Sequence, residues 1–313
     1  MPEKIAVFGS LNMDFVVRVA RLPALGETAL GSDFQMIPGG KGANQACAAG
    51  RLGDSNIVTH MAGRVGYDLF ADHLKASLSA AGVDVSFVCG TKAAPTGVAF
   101  IWVDSAGQNS IIVASGANHV ISEADVDGFS PVFAGARFAL FQLESPLAAV
   151  ASAIRLARGS GAKTILDPAP AQPLPPELLS QVDIFTPNES EAAMLLNEQA
   201  VRISPESAHG VAQRLLSMGP RAVVLKLGDR GCFYADASRQ FHVPAFPVRA
   251  VDSTAAGDIF NAALAVALSE GRELRDALRF ANASAALSTT RAGAQSSVPR
   301  RSEVDEFLKS CAS

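Results

Sequence analysis

Short apolar runs alternate with amphipathic segments through most of the 313-residue chain. Runs such as 4–10, 138–143 and 222–227 have the length and composition of buried strands. Segments between such runs, including 68–81 and 147–157, repeat apolar residues at helical spacing. This alternation indicates an α/β fold with a mostly parallel central sheet and helices on both faces.

Two segments depart from this rhythm. Residues 15–38 and residues 97–114 each predict strands that follow one another without a helix, the second segment as a hairpin around a turn at 104–107. We interpret them as a small β-sheet lid on a single domain covering residues 1–313. The last part of the chain predicts three helices, at 256–270, 273–288 and 302–309.

Composition excludes several classes of protein. Hydrophobic residues make up 49% and charged residues 18%, which predicts a large core and argues against disorder. The net charge is -4 and no dense Lys/Arg run occurs, so we expect no nucleic-acid partner. There is no signal-peptide pattern and no apolar run of the roughly 20 residues that span a bilayer. We therefore expect no membrane partner and a cytoplasmic location.

The four cysteines, Cys47, Cys89, Cys232 and Cys311, are far apart and form no C-x-x-C pair. In a chain of this length, that spacing is typical of reduced, mostly buried thiols rather than a disulfide scaffold or a structural zinc site. The five histidines also lack the spacing of metal ligands.

The strongest local motif is DSTAAGD at 252–258, directly before an apolar helix. Small residues let the backbone approach a ligand, and the free N–H groups of a helix start favour an anion. Asp258 could then accept a proton from an attacking hydroxyl while those N–H groups stabilise a transferred phosphoryl. An ordinary helix cap is equally compatible with the spacing alone.

The loop GGKGAN at 39–44 opens a helix and suits sugar hydroxyls or phosphates. It is not a P-loop, because Gln35 stands six positions before Lys41 and Gly42 follows that lysine. Asn12 and Asp14 follow the first strand, where open α/β sheets bind ligands, although a plain turn is also compatible.

The segment TPNESE at 186–191 also follows a strand and opens a helix. Glu191 could orient Mg²⁺ through water, since this ion keeps several waters in proteins. Capping of the helix by its acidic first turn is the alternative.

Several motifs together resemble the ribokinase-like (phosphofructokinase B type) carbohydrate kinases, from the first strand to the last helix. The motifs are GSLNMD at 9–14, LPALGET at 22–28, GGKGANQA at 39–46, QLESP at 142–146, DPAPA at 167–171, TPNESEA at 186–192, VDSTAAGDIFNAAL at 251–264 and TRAGAQSSVP at 290–299. Because independent motifs occur in the family's order, we interpret the 252–258 loop as catalytic rather than as a cap.

The resemblance implies an ATP-dependent kinase for a small sugar, most simply for the 5-hydroxyl of D-ribose. It implies ATP, Mg²⁺ and an activating K⁺, and a homodimer formed through the lid. Deoxyribose, a ketohexose or a nucleoside such as adenosine stays open as the acceptor. A sugar-binding protein without catalysis is a more distant alternative. A nicotinamide dehydrogenase is disfavoured because no G-x-G-x-x-G follows a strand.

The resemblance also assigns roles to matched positions. Asp258 is the expected base, with Ala255, Ala256 and Gly257 as the anion hole. The expected sugar-binding residues are Asn12, Asp14, Gly39, Gly40, Lys41, Asn44, Glu144 and Asp258. The expected ATP-binding residues are Asn188, Lys226, Leu227, Gly228, Asp229, Arg230, Gly231, Gly257 and Asn282. Glu191 is expected to hold Mg²⁺ through water, and the K⁺ loop, mainly through backbone carbonyls, comprises Asp252, Thr254, Ser288, Arg291, Gly293 and Ser297.

Some positions depart from the family pattern. Lys226 stands where a small hydroxyl residue is common, Ile259 follows Asp258 where Thr is common, and Pro38 precedes the glycine pair. Among lid residues, Met13, Phe100 and Trp102 are expected to line the sugar side.

Overall fold

The computed structural model describes residues 2–105, 109–199 and 201–311, so part of the turn predicted at 104–107 lies outside the described residues. The strands are β1 (Glu3–Phe8), β2 (Asn12–Arg18), β3 (Ser32–Gly39), β4 (Ile57–Val65), β5 (Val83–Gly90), β6 (Gly97–Val103), β7 (Asn109–Ala114), β8 (Ala136–Phe141), β9 (Lys163–Leu166), β10 (Ile184–Phe185), β11 (Ala222–Lys226), β12 (Cys232–Asp236) and β13 (Gln240–Val243).

The α-helices are α1 (Lys41–Leu52), α2 (Leu69–Ala80), α3 (Glu123–Asp127), α4 (Ser130–Phe133), α5 (Leu147–Gly159), α6 (Pro176–Leu179), α7 (Glu189–Leu195), α8 (Ala208–Ser217), α9 (Ala256–Ser269), α10 (Leu274–Thr289) and α11 (Arg301–Ser310). Short 3₁₀ helices cover Gly116–Val120, Gly228–Arg230 and Gln295–Ser297. No helix in the described ranges combines the length and apolarity required to cross a membrane.

The main sheet has the strand order β13-β12-β11-β10-β9-β8-β1-β4-β5. Strands β5 to β11 in that order pair in parallel, and β12 and β13 add an antiparallel edge. Alternate residues of β1 supply two cores: Ile5 and Val7 lie in one, and Ala6 and Phe8 in the other. This follows from the two-residue period of a strand buried on both faces. The predicted fold class is confirmed.

The two segments in which strands do not alternate with helices form a separate sheet in the order β3-β2-β6-β7, which we call the lid sheet. Its register places Phe15 beside Phe100 on β6 and Met36 on β3. The Phe15 ring also packs edge-on against Phe70 of α2, at 5.5 Å between centroids. The lid sheet is thereby joined to the body at the end of β2 that carries Asn12 and Asp14.

Candidate active site

Asp258 lies in the first turn of α9, at the carboxyl edge of the main sheet. The N-cap residue of this helix, Ala255, has φ 59°, a left-handed conformation that costs an L-residue about 1–2 kcal/mol. The Ala256 N–H bonds the Ser253 carbonyl at 3.2 Å. The next two N–H groups, of Gly257 and Asp258, lie where an α-helix supplies no internal acceptor. These groups are available to an anion.

The Asp258 carboxylate is buried and held from both sides. Asn44 Nδ2 donates to Oδ2 at 3.1 Å, and Gln45 Nε2 donates to Oδ1 at 3.1 Å. Gln142 Nε2 in turn donates to Gln45 Oε1 at 2.7 Å. Burial raises the pKa of Asp258 to about 6, against the opposing charge of Lys41. The carboxylate is therefore fixed in place and is a stronger base than an exposed aspartate.

Further polar groups surround this carboxylate. Burial, together with the charges of Glu144 and Asp258, raises the pKa of Asp14 to about 7. Glu144 Oε2 accepts from the Lys41 backbone N–H at 3.2 Å and from the Ser10 hydroxyl at 2.5 Å. Asn44 Oδ1 is buried with no hydrogen-bond partner among the described residues. An acceptor left free in this position suits a sugar hydroxyl.

The glycines beside these groups are required by close packing. A Cβ on Gly39 would lie 2.1 Å from Asp14 Oδ2, and one on Gly40 would lie 2.7 Å from the Asn12 backbone nitrogen. Gly40 also has φ 88°, which favours glycine. Asn12 Oδ1 accepts from Asn118 Nδ2 at 2.7 Å. The predicted sugar-binding residues thus come from the start of β2, the start of α1, the loop after β8 and the start of α9.

Two adjoining cavities meet at the start of α9, where Gly257 lines both. One, of about 500 Å³, has an apolar lining that includes Phe246, Val248 and Ala285. The other, of about 540 Å³, is lined by the polar start of α7 and by Arg202. Lys226, Gly228 and Gly257 line both. A nucleotide placed across them would have its base in the apolar cavity and its phosphates at the start of α9.

The loop that follows β11 contributes to these cavities unevenly. Gly228, Asp229 and Gly231 line the apolar cavity. Leu227 is buried, and Arg230 turns away to pair with Glu189 at 2.6 Å.

Asn282 also lines the apolar cavity. Its Nδ2 donates to the backbone carbonyls of Val243 and Pro244, both at 3.1 Å. It therefore holds the wall of the cavity.

A buried charge cluster lies where the two cavities meet. Lys226 Nζ pairs with Asp167 Oδ1 at 2.9 Å. Burial lowers the Lys226 pKa, but the charges of Asp167, Glu191 and Asp258 outweigh burial and raise it overall. Gln45 Nε2 lies 3.4 Å from Asp167 Oδ2, so one amide connects this cluster to Asp258.

Asn188 and Glu191 form a reciprocal cap at the start of α7. Asn188 Oδ1 accepts from the Glu191 N–H at 2.8 Å, and Glu191 Oε2 accepts from the Asn188 N–H at 2.7 Å. Burial and the charge of Asp167 raise the pKa of Glu191, while Lys226 opposes them. The capping and ligand-binding interpretations of this motif are therefore compatible, since Asn188 also lines the polar cavity.

The residues predicted to bind K⁺ occupy two loops beside α9. Asp252 joins them: Oδ1 accepts from the Thr254 hydroxyl at 2.6 Å, and Oδ2 accepts from the Gly293 N–H at 2.8 Å. The Ser288 and Ser297 hydroxyls donate to carbonyls in their own turns. The Arg291 guanidinium pairs with Glu303 at 2.5 Å.

Four site residues were not assigned from sequence: Gln45, Gln142, Asp167 and Asn118. Gln45, Gln142 and Asp167 lie in the motifs GGKGANQA, QLESP and DPAPA, and Gln45 is in addition a polar residue inside the alanine-rich α1. The expectation that Met13 lines the sugar is wrong, because Met13 is buried in the main core.

Phe100 stacks on Phe15 at 5.5 Å, on the face of the lid sheet opposite to Asp14. Trp102 shares that face because it lies two residues further along β6. Ile259 is buried in the core, and Pro38 pairs with Met13 across the lid sheet.

Comparison with known proteins agrees with this geometry. The model of the pfkB family of carbohydrate kinases matches residues 2–301. A ribokinase of Haemophilus influenzae is 40% identical, with 99% of each chain covered. The crystal structure of a Thermotoga maritima ribokinase has a TM-score of 0.87 at 37% identity, covering 97% of this chain and 99% of that one. An Arabidopsis thaliana ribokinase complexed with ribose and ATP has a TM-score of 0.89 at 33% identity, covering 99% of each chain. The chain therefore belongs to the pfkB family of carbohydrate kinases.

Proposed function

We propose that this protein is an ATP-dependent ribokinase, which transfers the γ-phosphoryl group of ATP to the 5-hydroxyl of D-ribose. The observation that carries the proposal is the buried Asp258 carboxylate at the start of α9, held by Asn44 and Gln45. The similarity to ribokinases over nearly the whole chain supports ribose as the acceptor.

In this mechanism ribose lies between Asp14, the GGKGAN loop and Asp258. Asp258 takes the proton of the 5-hydroxyl as the oxygen attacks the γ-phosphorus. The Gly257 and Asp258 N–H groups at the helix start stabilise the negative charge of the transferred phosphoryl. Gln142 and Gln45 keep the base aligned, since they form a chain of amide hydrogen bonds that ends on it.

Mg²⁺ fits the acidic cluster beside the phosphate position. The carboxylates of Asp167, which is buried, and Glu191, which is half-buried, both act on Lys226, and Mg²⁺ prefers oxygen ligands, part of them water. When bound, Mg²⁺ would neutralise charge on the nucleotide phosphates. Glu191 and Asp167 are the residues that would hold it.

We propose in addition that K⁺ activates the enzyme at the two loops joined by Asp252. The support is geometric: the side chains of Ser288, Ser297 and Arg291 are engaged elsewhere, so the backbone carbonyls of these loops are the oxygen donors for the ion. Turnover should rise when KCl replaces choline chloride at constant ionic strength. An Asp252→Ala variant that kept the full KCl response would contradict this site.

Turnover with a panel of acceptors tests the substrate. ADP release is measured with ATP and Mg²⁺ and with D-ribose, 2-deoxyribose, fructose or adenosine. The proposal expects D-ribose to give the highest kcat/KM. A higher value for another acceptor would retain the kinase mechanism and change the substrate. Binding of ribose and ATP without ADP release would instead favour a non-catalytic sugar-binding protein.

We propose a homodimer formed through the lid sheet. The register places Phe34, Met36, Phe100 and Ile112 on one face, where they are 61%, 50%, 43% and 59% exposed. Contiguous exposed apolar surface of this kind marks an interaction site. Light scattering after gel filtration should give twice the mass of the 32.4 kDa chain. The Ile112→Glu variant should give the monomer, and a wild-type monomer at micromolar concentration would contradict the dimer.

We place the reaction in the cytoplasm. All four cysteines are free in the structure, and Cys47 and Cys232 are buried, as expected for a protein of a reducing compartment. Fractionation of cells that produce the protein, with detection by antibody, tests this location.

A further inference from the structure

Lys226 lies where the two cavities proposed for the nucleotide meet. Among the described residues that line the two nucleotide cavities it is the only one with an ammonium, and it lines both. A Cβ built on Gly257 would lie 3.3 Å from Lys226 Nζ. The ammonium is therefore next to the helix start that receives the transferred phosphoryl in the proposed mechanism.

The charges around Lys226 show why a cation is needed there. Five carboxylates interact electrostatically with Lys41, with Lys226 or with one another. They are those of Asp14, Glu144, Asp167, Glu191 and Asp258. A phosphoryl group that enters such an acidic site is repelled unless cations face it. The Lys41 ammonium belongs to the same cluster, because the charges of Asp258 and Asp167 act on it, but Lys41 is not among the residues that line either cavity.

The ion pair with Asp167 leaves Lys226 able to bind a second anion. An ammonium has three N–H donors, and Asp167 takes one of them at 2.9 Å. Asp167 is 3% exposed and Lys226 is 12% exposed, so the pair is fixed in a site that excludes most water. Its remaining donors need no conformational change to reach a group placed against Gly257.

We propose that Lys226 is a catalytic residue, whose ammonium binds the γ-phosphoryl group and stabilises its charge during transfer. This inference rests on the proposed kinase activity. The 5-oxygen of ribose forms a bond to the γ-phosphorus while the bond to the β–γ bridging oxygen breaks. That oxygen leaves on ADP with the bonding electron pair, and the hydroxyl proton passes to Asp258. Lys226 stays protonated throughout and forms no covalent bond.

A set of three variants separates catalysis from charge balance. Lys226→Met alone leaves Asp167 buried without its partner, so a loss of activity could arise from misfolding. Asp167→Asn removes that carboxylate, and Asp167→Asn/Lys226→Met removes both charges at nearly constant volume. The informative comparison is between the last two variants, because neither contains an unpaired Asp167 and both lack the same proposed Mg²⁺ ligand, so any loss from that ligand is common to the two.

We expect the double variant to have a kcat about 10²-fold below that of Asp167→Asn, the usual effect of one oxyanion donor. The KM for ribose and the melting temperature should be similar in the two proteins. Equal kcat values would overturn the inference and leave Lys226 as a partner for Asp167 only. Wild-type protein in the same assay tests the proposed function separately, since absence of any ribose-dependent turnover there would refute that function itself.

A binding measurement gives a second readout. ADP with aluminium fluoride and ribose imitates the phosphoryl in transfer, whereas ADP alone does not. Calorimetry should show that Asp167→Asn binds the fluoride complex more tightly than ADP, and that the double variant loses most of this difference. An undiminished difference in the double variant would also refute contact between Lys226 and the transferred group.

Discussion

Replacement of Asp258 by asparagine should lower turnover strongly and stabilise the fold at the same time. Burial in the folded protein raises the pKa of Asp258 from 3.8 to about 6. A raised carboxyl pKa destabilises the fold wherever the carboxylate is ionised, by about 1.4 kcal/mol per pKa unit. The stability cost is absent below pH 3.8, grows as pH rises and is complete above pH 6, where it reaches about 3 kcal/mol.

The amide side chain of Asp258→Asn stays neutral at every pH, so the variant avoids this cost. The new NH₂ group also has an acceptor, because Asn44 can rotate its unpartnered Oδ1 toward it. We therefore expect a gain of about 3 kcal/mol in unfolding free energy at pH 8 and almost none near pH 4. Loss of the base should lower kcat by about 10² to 10⁴.

Urea denaturation at pH 4, 6 and 8 measures the stability, and ADP release at pH 8 measures kcat. Asp72→Asn is the matched control, because Asp72 also lies in the first turn of a helix, α2, but is exposed. Asp72→Asn should change neither the unfolding free energy nor kcat. A variant of Asp258 with turnover within tenfold of wild type, or with a stability gain that does not vary with pH, would refute the reasoning.

Three further predictions concern the residues around the base. The pKa of about 7 for Asp14 predicts that the KM for ribose falls as pH rises from 6 to 8. Asp14→Asn should raise this KM about tenfold and abolish its pH dependence. Steady-state kinetics that showed the same pH dependence in the variant would contradict this prediction. Gly39→Ala places a Cβ 2.1 Å from Asp14 Oδ2, so it should raise the ribose KM at least tenfold, and an unchanged KM would refute this contact. Ala255→Gly relieves a φ of 59° and should raise the unfolding free energy by up to about 1 kcal/mol, whereas a loss measured in urea would show that the turn is not strained.

Periodicity in the sequence was sufficient to predict the parallel strands and the lid sheet. Buried parallel strands are almost wholly apolar, so segments such as β1 and β8 differ clearly from the helices between them. The β12–β13 hairpin and the short helices α3 and α4 were not predicted. Strands β12 and β13 are five and four residues long and lie at the edge of the sheet, where pairing with β11 rather than local pattern fixes them.

The candidate site was predictable where a motif carried it and not where distant residues meet. Asp258, Asn44 and Asp14 each lie in a motif with small residues around it. The contact between Gln45 and Asp258 joins residues 213 positions apart, and only the packing of α1 against α9 brings them together. The pairing of Lys226 with Asp167 likewise depends on the ends of β11 and β9, which lie on either side of β10, rather than on either motif.

Phosphorus NMR of a mixture of the protein, ATP, Mg²⁺ and D-ribose tests the central claim most directly. The account predicts one new phosphomonoester on C5 of ribose, formed in equal amount to ADP by the wild type and at least 10²-fold more slowly by Asp258→Asn. Formation of ADP without a sugar phosphate, phosphorylation at another carbon, or equal rates for the two proteins would contradict it.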